Sequence, residues 1–266
     1  MATRQEYADL SKYVTYSPEG CKTSMKRDYS DKWELVPIEG REFYENFLNG
    51  FKGGLFHNKE TDEYVVAFNQ SNDAMDQISN FQILRGELPT QYHTAISFFN
   101  KVQNNLPKGA KVSCTGHSLG GALAELVAAK TGCQAYTYNA PGIKSLLEQA
   151  GINPAQDFSN ITNIGINNDL IFDFGAHIGQ TYHTASVFEN DTHGTDSIWN
   201  ILRNDMNLTK GEPQSFAKTI GDNTRREFAQ KSYEAVKTFS LCLTQIINKK
   251  NTLPSGEIIP IILPFR

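Results

Sequence analysis

The sequence lacks any apolar run long enough to cross a membrane, since no segment approaches the ~20 apolar residues that a spanning helix needs. Residues 1–7 also lack the apolar stretch of a signal peptide. We therefore expect a chain that is soluble and cytoplasmic at synthesis. Secretion, if it occurs, is expected to follow a route that needs no signal peptide.

A surplus of positive charge is also missing. The 25 Lys and Arg residues are outnumbered by 29 Asp and Glu residues, which gives a formal net charge of −4. Because nucleic-acid-binding proteins normally carry a basic surplus, we expect no nucleic-acid partner. With 39% hydrophobic and 20% charged residues, the composition is that of a folded globular protein and excludes a disordered or fibrous chain.

Cysteine is scarce and shows no metal-binding or redox spacing. The four cysteines are Cys21, Cys114, Cys133 and Cys242. Without a Cys-x-x-Cys pair, they are interpreted as ordinary reduced thiols, with Cys114 and Cys133 inside buried strands. The carboxylates of Asp73 and Asp76 fit either a cation site or a solvated loop, but no ligand set has calcium spacing. We predict no metal and no cofactor.

Short apolar strands alternate with helical patterns through the middle of the chain, which predicts an α/β fold with a mostly parallel sheet flanked by helices. Predicted strands cover residues 54–57, 63–68, 111–115, 134–138, 161–166 and 181–188. Predicted helices cover residues 92–102, 122–129, 145–150, 197–203 and 215–249. Without repeats or linkers, the sequence predicts one domain over 1–266, with a core at about 50–205 and a C-terminal helical elaboration at about 210–266.

The motif with the clearest chemistry is Gly-His-Ser-Leu-Gly at residues 116–120. It lies between a predicted strand and a predicted helix, where a sharp turn exposes a nucleophilic serine and requires glycines around it. The alternative is a purely structural glycine turn. We predict that Ser118 is a catalytic nucleophile and that His117, which flanks it, is a structural or surface residue.

A serine hydroxyl needs a histidine base that a carboxylate orients, and in this kind of fold the chain order is Ser, Asp, His. Asp169 follows the predicted strand 161–166, which places it at the same sheet edge as Ser118. Asp173 is a second possibility, whereas Asp157 precedes that strand and would lie at the opposite edge. We predict that Asp169 is the acid.

Three histidines compete for the role of base. His193 lies in a loop after the predicted strand 181–188, the position that a catalytic histidine needs. His177 lies close to Asp169 in the chain, and His183 falls inside the strand, which is typical of a structural residue. We predict His193 as the base, with His177 and His183 as the alternatives.

Ester hydrolysis also needs two hydrogen-bond donors for the developing oxyanion. One is expected to be the backbone N–H of Leu119, directly after the nucleophile. The second is expected from the loop after strand 63–68, where Ser71 offers both an N–H and a hydroxyl.

Together these segments resemble the class-three lipase family and its bacterial phospholipase-like relatives. The resemblance covers about residues 50–205 and is carried by residues 66–68, Asp76 with Asn80, residues 115–124, 139–142 and 168–169. It implies an α/β-hydrolase fold, a Ser-Asp-His triad of Ser118, Asp169 and His193, hydrolysis of acylglycerol or phospholipid esters, and no cofactor. The family usually has Phe-Arg-Gly before its oxyanion-hole Ser or Thr, whereas residues 68–71 here read Phe-Asn-Gln-Ser.

A further apolar pattern separates the oxyanion loop from helix 92–102. Its members recur at a spacing of three and are Met75, Ile78, Phe81 and Leu84. One interpretation is a helix packed on the core. The other is a substrate-binding wall or lid that contacts the acyl chain and exposes apolar surface near lipid.

The function predicted from the sequence is a serine ester hydrolase, a phospholipase or lipase, that releases a fatty acid through an acyl-enzyme. Its partner is a lipid or phospholipid substrate met by peripheral membrane contact, as suits a bacterial effector. The sequence does not identify a neutralising or chaperone protein. The alternatives are a non-catalytic interaction module on a hydrolase scaffold and a lipid acyltransferase.

Overall fold

The protein folds around one mixed β-sheet with helices on both faces. The computed structural model describes residues 2–70, 82–83, 85–167, 169, 171–184, 193, 199, 202 and 208–211. The strands are β1 (Trp33–Val36), β2 (Phe43–Asn46), β3 (Phe51–Asn58), β4 (Glu63–Phe68), β5 (Lys111–His117), β6 (Gln134–Tyr138), β7 (Ile161–Ile166), β8 (Gln180–Thr184) and β9 (Thr209–Lys210). The helices are α1 (Arg4–Tyr13), α2 (Pro18–Tyr29), α3 (Tyr92–Asn105) and α4 (Leu119–Thr131).

The centre of the sheet is parallel and its margins are antiparallel. Strands β4, β5, β6, β7 and β8 lie side by side in that order and all run the same way. Strand β3 pairs antiparallel with β1, β2 and β4, and β9 pairs antiparallel with β8. This confirms the predicted α/β class. The carboxyl ends of the parallel strands meet at one edge, the usual location of a site in such sheets, which we call the carboxyl edge.

Both faces of the sheet are buried, so most residues of its central strands are shielded from solvent. Along β4, Val66 and Phe68 face the core under α3 and α4, while Val65 and Ala67 face the core under α1. This alternation follows from the two-residue period of a strand. The sheet is therefore a rigid platform that fixes where its carboxyl edge lies.

The N-terminal helices belong to the same architecture, although the sequence analysis placed the core at about 50–205. Helix α1 begins with a capping box formed by Thr3 and Glu6 and packs across β5 and β6. The Tyr7 hydroxyl donates to Ser113 Oγ at 2.9 Å, and Thr115 Oγ1 donates to the Tyr7 carbonyl at 3.0 Å. Helix α1 thus covers the back of the strand that leads to Ser118.

Three of the predicted helices differ from those in the structure, and the first of them, α3, extends three residues beyond the predicted 92–102. Helix α4 begins three residues earlier than predicted, directly after Ser118, and ends two residues later, at Thr131, where Gly132 with a φ of 77° caps it. The predicted helix 145–150 is wrong, since only a 3₁₀ turn forms at Lys144–Leu146. The chain turns at Gly151, where φ is 63°, and this limits the segment to a single turn.

Several predicted elements fall wholly or partly outside the described residues. Strand β8 accounts for the first part of the predicted strand 181–188. The rest of that strand, most of the predicted helix 197–203 and all of the predicted helix 215–249 lie beyond the description. The single domain with a C-terminal elaboration therefore stays a prediction.

The described cysteines are free thiols, but one of them is not where the sequence predicted. Cys114 is buried in β5, as expected. Cys133 lies just before β6 and is only partly buried, with its Sγ 3.5 Å from that of Cys114. The prediction of a buried strand position for Cys133 is wrong because the strand begins one residue later.

Candidate active site

Ser118 joins β5 to α4 at the carboxyl edge in a backbone conformation that an L-residue rarely adopts. Its φ is 54° and its ψ is −125°. The Ser118 N–H donates to the carbonyl of Tyr138 on β6 at 2.9 Å, and its own carbonyl accepts from Ala122 at 3.1 Å. Such strain persists only where surrounding contacts hold the residue in place, and it is typical of functional sites.

The sharp turn at Ser118 requires glycine on both sides of the serine, because nearby backbone atoms leave no room for a side chain at those positions. A Cβ on Gly116 would lie 2.2 Å from the carbonyl of Gly120. A Cβ on Gly120 would lie 2.3 Å from the carbonyl oxygen of Phe68, the last residue of β4. We call residues 116–121 the elbow, since a strand, a strained serine and a helix in this order form the nucleophile elbow of α/β-hydrolases.

The structure brings Ser118, His193 and Asp169 into one hydrogen-bonded chain. His193 Nε2 lies 2.8 Å from Ser118 Oγ, and His193 Nδ1 lies 2.8 Å from Asp169 Oδ2. The alternative histidines are elsewhere, since His183 lies within β8 and the ring of His177 contacts the carbonyl of Phe172. This is the geometry in which a histidine can accept a serine proton while a carboxylate orients it.

The alternative acids do not occupy the position of Asp169. Asp173 follows one turn later, and its N–H donates to the Asp169 carbonyl at 2.9 Å. Asp157 precedes β7, and its side chain accepts hydrogen bonds from Ser159. Of the three, it is Asp169 that contacts the ring of His193.

The Asp169 side chain is almost completely buried and is held by backbone groups. It is 1% exposed. Its Oδ1 accepts from the N–H of Ile171 at 2.8 Å and from that of Phe172 at 3.4 Å, which leaves Oδ2 for His193. A buried carboxylate needs such donors, and here they also fix its direction.

Asn139 also contributes to the site, although the sequence analysis gave it no role. Its φ of 45° turns the chain after β6, and its Nδ2 lies 3.4 Å from the carbonyl of His193. Its Oδ1 accepts from the N–H of Ile166 at the end of β7, at 3.0 Å. Asn139 thus ties the backbone of His193 to the sheet. The sequence contains a signal for this turn, because an Asn directly after a strand tolerates a positive φ.

His117 lies beside the nucleophile, fully buried, with its ring centroid 5.1 Å from that of His193. Burial lowers the pKa of His117 to about 3, and the nearby His193 adds to this effect. The imidazole of His117, next to Ser118, therefore stays neutral at ordinary pH. It adds no positive charge to the neighbourhood of His193.

The start of α4 offers the donors that an oxyanion needs. Leu119 is the first residue of this helix, where backbone N–H groups have no acceptor within the helix and the helix dipole is positive. The predicted second donor, Ser71, lies outside the described residues. So do the four predicted substrate-binding residues, Met75, Ile78, Phe81 and Leu84.

In the part of the chain that the structure describes, no three His, Cys, Asp or Glu side chains cluster as a metal site would require. No helix there is long and apolar enough to span a membrane. A cavity of about 460 Å³ lies at the opposite edge of the sheet, where it is lined by Lys111, Ser113 and Cys133 among others, and it does not contact the triad.

Comparison with known sequences identifies phospholipase relatives. Residues 6–198 match the phospholipase-like family described as the Tle-like phospholipase domain. The "Extracellular phospholipase A1" of Serratia liquefaciens is 36% identical over 108 residues, which cover 40% of this chain and 33% of that protein. The matched segment thus spans about a third of the length of this curated relative.

Comparison with solved structures returns fungal lipases. Lipase II of Rhizopus niveus is 16% identical with a TM-score of 0.45, over 72% of this chain and 84% of that one. The lipase of Rhizopus microsporus var. chinensis is also 16% identical with a TM-score of 0.45, over 71% of this chain and 74% of that one. The chain itself has the α/β-hydrolase fold, as its sheet order and its elbow at the carboxyl edge indicate.

Proposed function

The chain belongs to the family described as the Tle-like phospholipase domain, and we propose that it is a serine ester hydrolase that releases a fatty acid from a phospholipid. One observation carries the proposal: the hydrogen-bonded chain from Asp169 through His193 to Ser118, with the serine on a strained elbow. The family description and the Serratia relative support phospholipid ahead of triacylglycerol as the substrate.

In the first half of the proposed reaction, Ser118 Oγ attacks the ester carbonyl of the lipid. Its proton passes to His193 Nε2, which lies 2.8 Å away. Asp169 stabilises the imidazolium that forms, and its contact with Nδ1 keeps Nε2 available as the base. The tetrahedral intermediate then expels the alcohol of the lysophospholipid, which takes the proton from His193 and leaves a fatty acyl ester on Ser118.

In the second half, water attacks this acyl ester while His193 accepts a proton from the water. When the second intermediate collapses, the bond from Ser118 Oγ to the acyl carbon breaks, His193 returns its proton to Ser118 Oγ, and the fatty acid is released. The oxyanion of both intermediates is assigned to the Leu119 N–H and to Ser71. Removal of one such donor typically costs about 10²–10³ in rate. The neutral His117, within the elbow, places no second positive charge against the imidazolium.

Ser118→Ala tests the nucleophile. We expect release of fatty acid from phospholipid vesicles, and hydrolysis of a soluble short-chain ester, to fall by at least about 10⁴-fold. A fluorophosphonate probe is expected to label the wild-type chain and not the variant. Ser145→Ala is the matched control, because this exposed serine lies on a surface turn. Unchanged fatty acid release by a folded Ser118→Ala chain would refute the mechanism, and an unlabelled wild-type chain would favour a non-catalytic module.

Asp169→Asn tests the acid while keeping its size. The amide cannot stabilise an imidazolium as a carboxylate does, so we expect kcat to fall by about 10³–10⁴-fold. Asp157→Asn is the control, since this exposed carboxylate lies before β7, and its rate should stay within twofold of wild type. A loss of less than tenfold in Asp169→Asn would remove Asp169 from the mechanism.

A further inference from the structure

Two large apolar side chains project into solvent from the turn between β2 and β3. Phe47 is 87% exposed and Leu48 is 73% exposed. Among the described residues they are the only large hydrophobic side chains that are exposed, and they are adjacent in the chain. Single exposed apolar residues are common in proteins. An adjacent pair with no equivalent elsewhere in the described structure is a candidate interaction site. We call Phe47 and Leu48 the apolar tip.

The turn that carries the apolar tip is held by polar contacts on both sides. Asn46 Oδ1 accepts from the N–H of Leu48 at 3.0 Å. Asn49 Nδ2 donates to Thr94 Oγ1 on α3 at 2.9 Å, and the side chain of Gln91 donates to the Asn49 carbonyl at 2.9 Å. Because Gln91 is itself buried, these bonds anchor the turn to the body of the protein. The two side chains are therefore presented outward by a fixed backbone.

The apolar tip lies at the same edge of the sheet as Ser118. In the strand register, Asn46 pairs with Phe51 at the end of β2, and the Lys52 carbonyl accepts from the Asn69 N–H just past the end of β4. Phe68 in turn pairs with Gly116, two residues before Ser118. Three strand spacings of about 4.8 Å separate β2 from β5, so the apolar tip stands roughly 15 Å to the side of the nucleophile.

The chemistry of the turn favours a lipid surface over a charged partner. Residues 46–50 read Asn-Phe-Leu-Asn-Gly and carry no charge. An aromatic and an aliphatic side chain flanked by polar amides suit the boundary between lipid headgroups and acyl chains. We propose that the apolar tip inserts into the surface of the phospholipid bilayer and thereby brings the carboxyl edge against its substrate. This inference rests on the proposed function and names the surface through which the enzyme meets lipid.

The test measures binding to vesicles with the full chain carrying Ser118→Ala, so that the lipid is not consumed. The probe is a vesicle of phosphatidylcholine and phosphatidylethanolamine, analysed by sedimentation over a range of lipid concentrations. Adding Phe47→Ser and Leu48→Ser is expected to weaken binding roughly 10- to 100-fold, because partial burial of two large apolar groups is lost. Since the turn is uncharged, binding by the parent chain should change less than about twofold between 0.05 and 0.5 M salt.

A swapped variant, Phe47→Leu with Leu48→Phe, is the matched control, because it keeps the apolar area and should bind within threefold of the parent. The midpoint of thermal unfolding verifies that every variant is folded. Equal binding by the serine variant and the parent, or no binding by either, would overturn the proposal. So would a concentration-dependent dimer that the serine substitutions abolish, since the apolar tip would then contact a second copy. Hydrolysis of a soluble ester by the wild-type chain tests the proposed function separately from this surface.

Discussion

The elbow and the apolar tip lie at the same edge of one sheet, yet they have opposite physical character. The elbow is buried and strained, and a single added carbon at Gly120 would collide with backbone. The apolar tip is the most exposed apolar surface of the described residues, and side-chain hydrogen bonds help to hold its turn in place. The proposed bond-making and the proposed contact with lipid are thus assigned to separate parts of the molecule, and we expect substitutions to affect one without the other.

The largest effect on stability is expected from a substitution that adds a side chain to the elbow. In Gly120→Ala, the new Cβ would lie 2.3 Å from the carbonyl oxygen of Phe68, so β4 and α4 must separate. We expect a loss of about 3 kcal/mol or more in the free energy of unfolding, together with loss of fluorophosphonate labelling. Gly132→Ala, at the open far end of the same helix, is the control and should cost only about 1 kcal/mol. Similar melting curves for the two variants would show that the elbow is not tightly packed.

A middle-sized effect is expected from His117 as pH falls. Because burial lowers the folded-state pKa to about 3 while the unfolded value is near 6.5, the unfolded chain binds this proton first. Stability from this group is complete above about pH 6.5 and falls by roughly 1.4 kcal/mol per pH unit below that, which amounts to about 2 kcal/mol at pH 5. Urea unfolding measures the free energy of unfolding at each pH. In His117→Leu, this free energy should not show the part of the decrease at low pH that His117 causes. Parallel stability curves for wild type and variant would contradict the buried neutral imidazole.

The smallest effect is expected from loosening the turn that carries the apolar tip. Asn49→Ala removes the hydrogen bonds to Thr94 and to the Phe51 N–H. Each such bond is worth about 1 kcal/mol, so the melting midpoint should fall by a few degrees. Vesicle binding should weaken about two- to fivefold, less than when both apolar groups are removed. A variant that melts lower yet binds lipid as tightly as the parent would show that the fixed backbone does not matter for binding.

Sequence reasoning succeeded where a pattern is local. The strands 134–138 and 161–166 were predicted with the bounds that the structure has, because turn residues delimit each apolar run. The α/β class follows from the same alternation of strands and helices. The class-three lipase and phospholipase family was also recognised correctly, because the serine motif and its flanking glycines are contiguous.

Sequence reasoning failed where significance depends on distant neighbours. Helix α1 was missed because its apolar face is short and its partner strands lie far along the chain, although its capping box was legible. Asn139 has a role only because the carbonyl of His193 arrives beside it in the fold. The two residues of the apolar tip have neither helical nor strand spacing. Two consecutive apolar residues in a sequence do not reveal that both side chains face solvent.

The contacts of α1 have a consequence for how this protein is made. Tyr7 bonds to Ser113 and Thr115 across separations of 106 and 108 residues, and Tyr138 bonds to Arg4 across 134. At a synthesis rate of about 5–20 residues per second, the helix waits roughly 5 to 25 seconds for its partner strands to be translated. Helix α1 is thus complete before the strand that carries the elbow has been made, and its apolar face lacks these partner strands during that interval.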